Sequence, residues 1–303
     1  MIYRLLIIFF LFTSFQPAEK DPYIVVLGIA QDAGYPQIGC NKECCKKYWD
    51  KKIAKQKVSC LALFDPVTNQ KWIFDATPDL SEQLHEADKL QKGNLSGIFL
   101  THAHIGHYTG LMYLGREALS SKEIPVYAMP RMYEYLKSNG PWSQLVSLKN
   151  IKLKKLKADS VIKLTEKITV TPLLVPHRDE FSETVGYSIN TADKSVLFIP
   201  DIDKWQKWEK DIKALVKQHD WLFLDGTFYK DGELQDRNMS EVPHPFVQET
   251  IELLNDLSST KKNKIFFIHF NHTNPLIDRS SKEYKEVKSK GFNVGVQGLK
   301  ISL

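Results

Sequence analysis

The amino-acid sequence predicts an α+β protein in which two β-sheets pack as a layered sandwich with helices outside. Three observations predict it. Short apolar runs rich in β-branched residues recur along the chain, helical periodicities fall between them, and the side chains best suited to hold a metal stand where apolar runs stop. No stretch of twenty to fifty residues repeats literally, which excludes a solenoid. With 303 residues, 43% hydrophobic and 25% charged, the chain has the balance of an ordinary globular protein, and one domain over residues 19–303 is expected.

The N-terminus is set apart. Met1 to Gln16 places Arg4 before an unbroken apolar run from Leu5 to Phe12, too short to span a bilayer and shaped like the core of a secretory signal. Residues 1–18 are therefore expected to be a signal peptide, with a buried strand or an uncleaved anchor as the alternatives. The mature protein is then periplasmic or secreted. No later apolar stretch approaches membrane-spanning length, so no stable membrane span is expected after processing. The net charge of +5 is spread out. The lysine-rich run from Lys149 to Lys157 reads as a solvated face, and no contiguous basic stripe suggests a nucleic-acid partner.

Tyr23 to Ala30 reads as a buried strand ending at the turn Gln31-Asp32-Ala33-Gly34-Tyr35-Pro36. Ser59 to Phe64 and Lys71 to Phe74 are two more strands, separated by a hairpin turn at Asp65 to Gln70, so a meander opens the fold. Pro78 to Leu90 has helical spacing, and Gly97 to Leu100 is a short strand. Further strands are expected at Ile168–Val175, Val185–Ile189, Ser195–Pro200, Trp221–Leu224 and Lys264–Ile268. Helices are expected at Lys204–Gln218 and Phe246–Leu257, while Gly115 to Leu148 gives no clear pattern.

The strongest chemical signal is Thr101-His102-Ala103-His104-Ile105-Gly106-His107, three of the chain's nine histidines within six residues. In an extended segment His102 and His104 point to one side, and His107 lies beyond a glycine that can turn it back toward them. Converging neutral imidazoles suit zinc, manganese or iron. His177, Asp201 and His269 each follow an apolar strand, so one rim of the sandwich would collect them. Cys40, Cys44 and Cys45 form a tight thiol cluster, which suits a tetrahedral zinc better than a disulfide between neighbours. Cys60 sits inside an apolar strand and reads as a buried thiol.

With these landmarks in order, from Asp75 through the histidine cluster to His177, Asp201 and His269, the sequence resembles the metallo-β-lactamase superfamily. That resemblance implies a four-layer αββα sandwich. Within the superfamily it is similar to pyrroloquinoline quinone biosynthesis protein B and to the phosphodiesterase of bacterial phosphonate degradation. The likeness rests on Leu27-Gly28, Gly34-Tyr35-Pro36-Gln37, the cysteines that follow, and Phe267 to Pro275. It implies a first metal site of His102, His104, His177 and Asp201, with Asp201 able to bridge to a second site containing His107 and His269. It also implies a structural zinc on Cys40, Cys44, Cys45 and His272. His244, in a proline-flanked loop, aligns with an active-site histidine of the phosphodiesterases, where it would protonate a leaving group or hold a phosphate. Asp75 and Asp225 would orient ligating imidazoles, and Arg178 would contact an anion or form a surface ion pair.

One position departs from the pattern: Gly106 stands where hydrolytic members carry an aspartate ligand of the second metal. The function expected is metal-dependent hydrolysis of a small-molecule substrate, a phosphodiester or another small ester, by metal-activated water, with Asp201 and His244 as its catalytic residues. The alternatives are a mononuclear iron-dependent oxidative enzyme, as the quinone-pathway resemblance implies, and a non-catalytic metal-binding relative.

Overall fold

The computed structural model describes residues 20–234 and 237–303; the expected signal peptide lies outside the described residues. The strands are β1 (Tyr23–Gly28), β2 (Cys60–Asp65), β3 (Gln70–Phe74), β4 (Asn94–Phe99), β5 (Ile124–Ala128), β6 (Ile151–Lys155), β7 (Ile162–Lys163), β8 (Thr169–Leu174), β9 (Val185–Asn190), β10 (Ser195–Ile199), β11 (Trp221–Asp225), β12 (Ile265–Ile268), β13 (Asn293–Val294) and β14 (Lys300–Ser302). Among the described residues they form two seven-stranded sheets, ordered β14-β1-β2-β3-β4-β5-β6 and β13-β12-β11-β10-β9-β8-β7.

Side-chain alternation explains the layering. In β1, Ile24 and Val26 enter the core between the sheets, whereas Tyr23, Val25 and Leu27 enter a second core on the other face. In β2, Leu61 and Leu63 face the first core while Cys60, Ala62 and Phe64 face the second. A strand with both faces buried loses the polar alternation of a half-exposed one, which is why these segments read as continuous apolar runs. The outer core is closed by α2 (Leu80–Leu90), by α4 (Pro130–Ser138) and by α5 (Trp142–Ser147), which supply Leu80, Ala87, Met132, Leu136 and Leu145. On the other side α6 (Ile212–Gln218) and α7 (Val247–Leu253) cover the second sheet with Ile212, Leu215, Val216, Val247 and Ile251. The remaining helices that matter here are α1 (Glu43–Trp49) and α3 (Ile105–Tyr108). The αββα sandwich is thus present, with both sheets mixed.

The opening meander is observed: β1, β2 and β3 pair antiparallel. Its turn is built by Asp65, whose Oδ1 accepts from the backbone N–H of Val67 at 2.9 Å, while Asn69 takes the left-handed conformation (φ 54°). After that the first sheet turns parallel, β3 to β6, and β10 to β13 are parallel in the second. Parallel strands present their carboxyl ends at one rim, the place where open sheets carry their ligands.

One expectation needs correction. Lys204–Gln218 is not one helix: a 3-10 turn at Trp205–Lys207 is followed by an extended break, and α6 starts only after Asp211, which caps it by accepting from the Lys213 N–H at 2.8 Å. The Trp208 indole donates to the Leu174 carbonyl at 2.7 Å, which holds the break against β8. The Lys149–Lys157 run is the solvated face expected of it, and it contains β6, an edge strand. Lys152, Lys154 and Lys155 are exposed on it, and edge charges of this kind discourage pairing with another chain. Among the described residues no helix is long and apolar enough to cross a membrane.

Candidate metal centre

The rim gathers the expected residues. His102 and His104 follow β4, His177 follows β8, Asp201 follows β10, Asp225 ends β11, and His269 follows β12. Within the first group, His102 Nε2 lies 2.8 Å from His104 Nδ1 and 3.3 Å from Asp201 Oδ2. His177 Nε2 lies 3.3 Å from Asp201 Oδ1, and His104 Nδ1 lies 4.0 Å from Asp201 Oδ2. A tetrahedral ion with arms of about 2.0–2.1 Å spaces its donors about 3.3 Å apart. The separations here, 2.8 to 4.0 Å, bracket that value, and one donor atom from each of the four residues lies within 4.8 Å of the others.

Buried polar atoms rarely go without a partner, so those that do point to something missing. His177 Nδ1 and Nε2, Asp201 Oδ1, His107 Nε2, His269 Nε2 and Asp32 Oδ1 are all buried without a hydrogen-bond partner among the described residues. A cation would satisfy the inward-facing nitrogens and carboxylate oxygens, and the donor set fits one.

Apart from His177 Nδ1, the outer nitrogens are held by the protein. Asp75, fully buried after β3, bonds His107 Nδ1 at 2.7 Å through Oδ2 and accepts from the Thr101 N–H at 2.8 Å through Oδ1. His102 Nδ1 meets the Thr101 hydroxyl at 3.0 Å, and His269 Nδ1 meets the Thr227 hydroxyl at 2.9 Å. Asp225 in turn accepts from Thr227 Oγ1 at 2.7 Å, and it bonds His244 Nδ1 at 2.8 Å. Partners of this kind fix the ring and leave the other nitrogen free for an ion. Asp75 does orient a ring of the histidine cluster; Asp225 acts on His244 directly and on His269 only through Thr227.

Electrostatics agree with ligation at the first group. Burial pushes His177 down to about 4, and burial together with the neighbouring His107 holds His102 well below the usual imidazole range, so both rings are neutral as ligands must be. Burial alone would raise the Asp201 carboxyl, but His177, His244 and His269 hold it well down, ionised. Burial opposes charge on His107 as well, yet Asp75 and Asp32 raise it well above the usual range. His244 is raised to about 10: burial opposes this, and the carboxylates of Asp225 and Asp201 prevail.

Asp201 also faces the other rings, with Oδ2 at 3.9 Å from His107 Nε2 and 4.0 Å from His269 Nε2, and Oδ1 at 3.1 Å from His244 Nδ1. It therefore stands between the two expected sites. His104 is the member of the first group that reaches the surface. Its Nε2 faces Glu180 Oε2 at 3.1 Å and Arg178 Nη2 at 3.5 Å, and Arg178 Nη1 lies 3.7 Å from Glu180. Arg178 is thus loosely ion-paired at the mouth of the site.

Sequence reasoning missed Asp32. It lies in the turn after β1, its Oδ1 is 3.3 Å from His107 Nε2, and it groups with His107 and His269. The available signal was a carboxylate in a glycine-containing turn at a strand end, together with the missing carboxylate at Gly106.

The cysteine group is assembled as expected, including Cys44. Cys40, Cys44, Cys45 and His272 bring their donor atoms within 4.8 Å, with Cys40 Sγ and Cys44 Sγ 3.8 Å apart. That is the sulfur-to-sulfur edge of a tetrahedron with arms of about 2.3 Å. α1 begins at Glu43 and so carries adjacent Cys44 and Cys45 on its first turn, while the Tyr35 hydroxyl donates to the Cys44 carbonyl at 2.6 Å. Cys60 stays apart, fully buried in β2, where burial pushes its thiol well up.

Comparison with known proteins identifies the family and the fold. A family model described as the beta-lactamase superfamily domain matches residues 70–270. Coenzyme PQQ synthesis protein B from Methylococcus capsulatus is 25% identical over 92% of this chain and 99% of its own length. Among solved structures, Zn(2+)-bound PqqB from Methylobacterium extorquens superposes with a TM-score of 0.79 at 22% identity, over 93% of this chain and 100% of that one. A diphosphatase from the PhnP family gives 0.67 at 21% identity, over 93% and 97%.

Glu233 braces the segment that presents His272. Its Oε1 accepts from the Thr273 hydroxyl at 2.5 Å and its Oε2 from the Tyr229 N–H at 2.8 Å. Burial pushes its carboxyl up to about 7 from an ordinary 4.5, against those two bonds. The folded state therefore holds the proton more tightly than the unfolded one. The stability this contributes is present below about pH 4.5 and is lost as pH rises through about 7. Glu233→Gln removes the titration, so its stability relative to wild type should improve between about pH 5 and pH 8 by on the order of 2 kcal/mol in urea unfolding. Parallel stability curves for the two proteins would show that Glu233 titrates normally.

Proposed function

The chain belongs to the beta-lactamase superfamily, and from that membership we propose that it is a metal-dependent hydrolase whose catalytic ion is held by His102, His104, His177 and Asp201. The observation that carries this reading is the donor set: three imidazoles and a carboxylate whose ligating atoms lie within 4.8 Å of one another, with both His177 nitrogens buried and unpartnered among the described residues. A divalent cation there supplies Lewis acidity to water and to a phosphoryl or acyl oxygen. Zinc, manganese and iron all suit these ligands.

The chain's own residues do the rest. Asp201, ionised and central, holds the ion and orients the attacking water by accepting its hydrogen bond. His244 is fixed beside Asp201 by the bond from its Nδ1 to Asp225, and its role is to contact the leaving group or the anionic oxygens of the substrate. The surface-facing edge of His104 marks the side of entry, where the exposed Arg178 offers a guanidinium to an anion. These features support a small phosphodiester or related ester; the diphosphatase neighbour is likewise named for phosphoryl chemistry.

A second reading, a mononuclear iron-dependent oxidative enzyme, is favoured by two observations: the higher structural likeness to PqqB and the glycine at position 106. One assay separates the readings. Wild-type protein should hydrolyse bis(p-nitrophenyl) phosphate without consuming dioxygen, and His104→Ala should lose at least about 100-fold of that activity while melting like wild type. Hydrolysis that survives in His104→Ala would mean that the chemistry happens elsewhere; dioxygen consumption with iron bound would favour the oxidative reading.

For Cys40, Cys44, Cys45 and His272 we propose a structural zinc. Cys40→Ala and His272→Ala should each lower the melting temperature by at least about 5 °C while the histidine centre keeps its metal. An unchanged melting temperature in both would refute the assignment. The proposal also includes export of the chain by residues 1–18. Fractionation of cells expressing the full chain, with N-terminal sequencing, should recover a processed form outside the cytoplasm, and a cytoplasmic form that keeps Met1 would overturn it.

A further inference from the structure

We propose that Asp32 is the carboxylate ligand of a second metal ion, held together with His107, His269 and Asp201, and that it takes the place of the side chain missing at Gly106. This rests on the reading of the rim as a metal centre and extends it from one ion to two.

The steric argument comes first. A Cβ at Gly106 would stand 2.3 Å from Asp32 Oδ1, 2.5 Å from Asp32 Cα and 3.1 Å from Asp32 Cβ. No side chain at position 106 coexists with the Asp32 turn where it lies. Glycine at 106 and the carboxylate at 32 are therefore a matched pair, and the carboxyl group fills the space that a longer residue at 106 would enter.

The donor atoms come next. Asp32 Oδ1, His107 Nε2 and His269 Nε2 lie within 4.8 Å of one another, and each is buried without a hydrogen-bond partner among the described residues. Both rings are fully buried, and their outer nitrogens are occupied, His107 Nδ1 by Asp75 and His269 Nδ1 by Thr227. The inner nitrogens are thus left facing Asp32 with no other hydrogen-bond partner among the described residues. Asp201 Oδ2, 3.9 Å from His107 Nε2 and 4.0 Å from His269 Nε2, provides the fourth donor and is shared with the first ion. Two imidazoles and two carboxylates suit a divalent transition cation.

The turn is anchored in place. Gln31 N–H donates to the Phe270 carbonyl at 2.9 Å, and Phe270 N–H donates to the Ile29 carbonyl at 2.7 Å. Gly34 N–H closes the turn onto the Gln31 carbonyl at 2.7 Å, with Gly34 itself at φ +73°. The backbone that carries Asp32 is thus bonded to the residue after His269, so the two ligands are positioned by one set of contacts. Without an ion, the same carboxylate would serve only as a partner for a charged His107, and the two cases predict different metal contents.

The test is elemental mass spectrometry of metal per chain for wild type, Asp32→Ala, Asp32→Asn and His104→Ala, supported by electron paramagnetic resonance of the manganese-loaded proteins. Asp32→Asn keeps the volume of the side chain, so a loss shared by both Asp32 variants is not a collapse of the turn. Wild type should hold three ions, one on the cysteines and two on the rim, with a spin-coupled manganese pair. Both Asp32 variants should lose one equivalent and show isolated manganese. Three ions in wild type and in both variants would overturn the proposal, because the second ion would not need Asp32. Two ions in wild type, unchanged in the variants but reduced to one in His104→Ala, would also overturn it, leaving an ion pair between Asp32 and His107 and a mononuclear hydrolase. One ion in wild type, unchanged in His104→Ala, would remove the functional reading itself and this proposal with it.

Discussion

The arrangement at the rim depends on the buried carboxylate of Asp75. Burying a carboxylate is expensive unless donors surround it. Asp75 takes the Thr101 N–H, the Thr101 hydroxyl and His107 Nδ1, which ties the end of β3 to the loop that leaves β4. The same loop is tied to the second sheet, since the Thr101 carbonyl accepts from Val185 N–H at 3.1 Å and the Leu100 carbonyl accepts from the buried Tyr187 hydroxyl. Residues 100 and 101 thus join both sheets just before the histidines begin. Asp75 holds its position at φ 70°, a conformation that costs a non-glycine residue on the order of 1 kcal/mol, and it does so only because its contacts over-determine it.

The second sheet repeats the device. Asp225, fully buried at the end of β11, accepts from the Thr227 N–H and hydroxyl and from the Ile202 N–H at 3.1 Å, and Thr227 passes the constraint to His269. His269 too sits at a left-handed φ, 64°. Each sheet therefore carries an aspartate and a threonine that together aim one histidine inward, and the two clamped histidines, 107 and 269, face each other with rings 5.3 Å apart. Neither ring is placed by the apolar core alone. The core sets the rim, and these polar bonds set the angles.

How much of this was legible in the sequence follows from the range of the interactions. Strands with both faces buried, such as β1, β2 and β10, announce themselves as apolar runs, and the residue after each run falls at the rim by topology alone. The cysteine cluster was legible because three of its four members are close in sequence. The strands β5 and β6 were not: Pro125 interrupts one, and the alternating lysines of the other announce its solvated face but not the edge strand that carries it. The break before α6 was hidden because Trp208 fits a helical stripe yet bonds to a carbonyl in β8 instead. His244 could be singled out only by resemblance, since its partners Asp225 and Asp201 lie in other strand ends. Asp32 was hidden for the same reason in stronger form, because its neighbours are 75 and more residues away and only the bonds between the Gln31 turn and Phe270 bring them together.

Charge balance shows why a carboxylate displaced from position 106 would have to reappear nearby. The two divalent cations proposed for the rim would place four positive charges in a space walled by buried side chains, where water screens them poorly. The five imidazoles of His102, His104, His107, His177 and His269 bring donors but no negative charge. Asp201 alone compensates one unit, and Asp75 and Asp225 add two more from behind the ligating rings. Asp32 supplies the fourth from within the cluster, on the side of His107 where Gly106 leaves room. With glycine at 106 and no carboxylate at 32, a second ion would stand with an uncompensated charge, and on the proposal made above the pairing of these two positions is what would balance it.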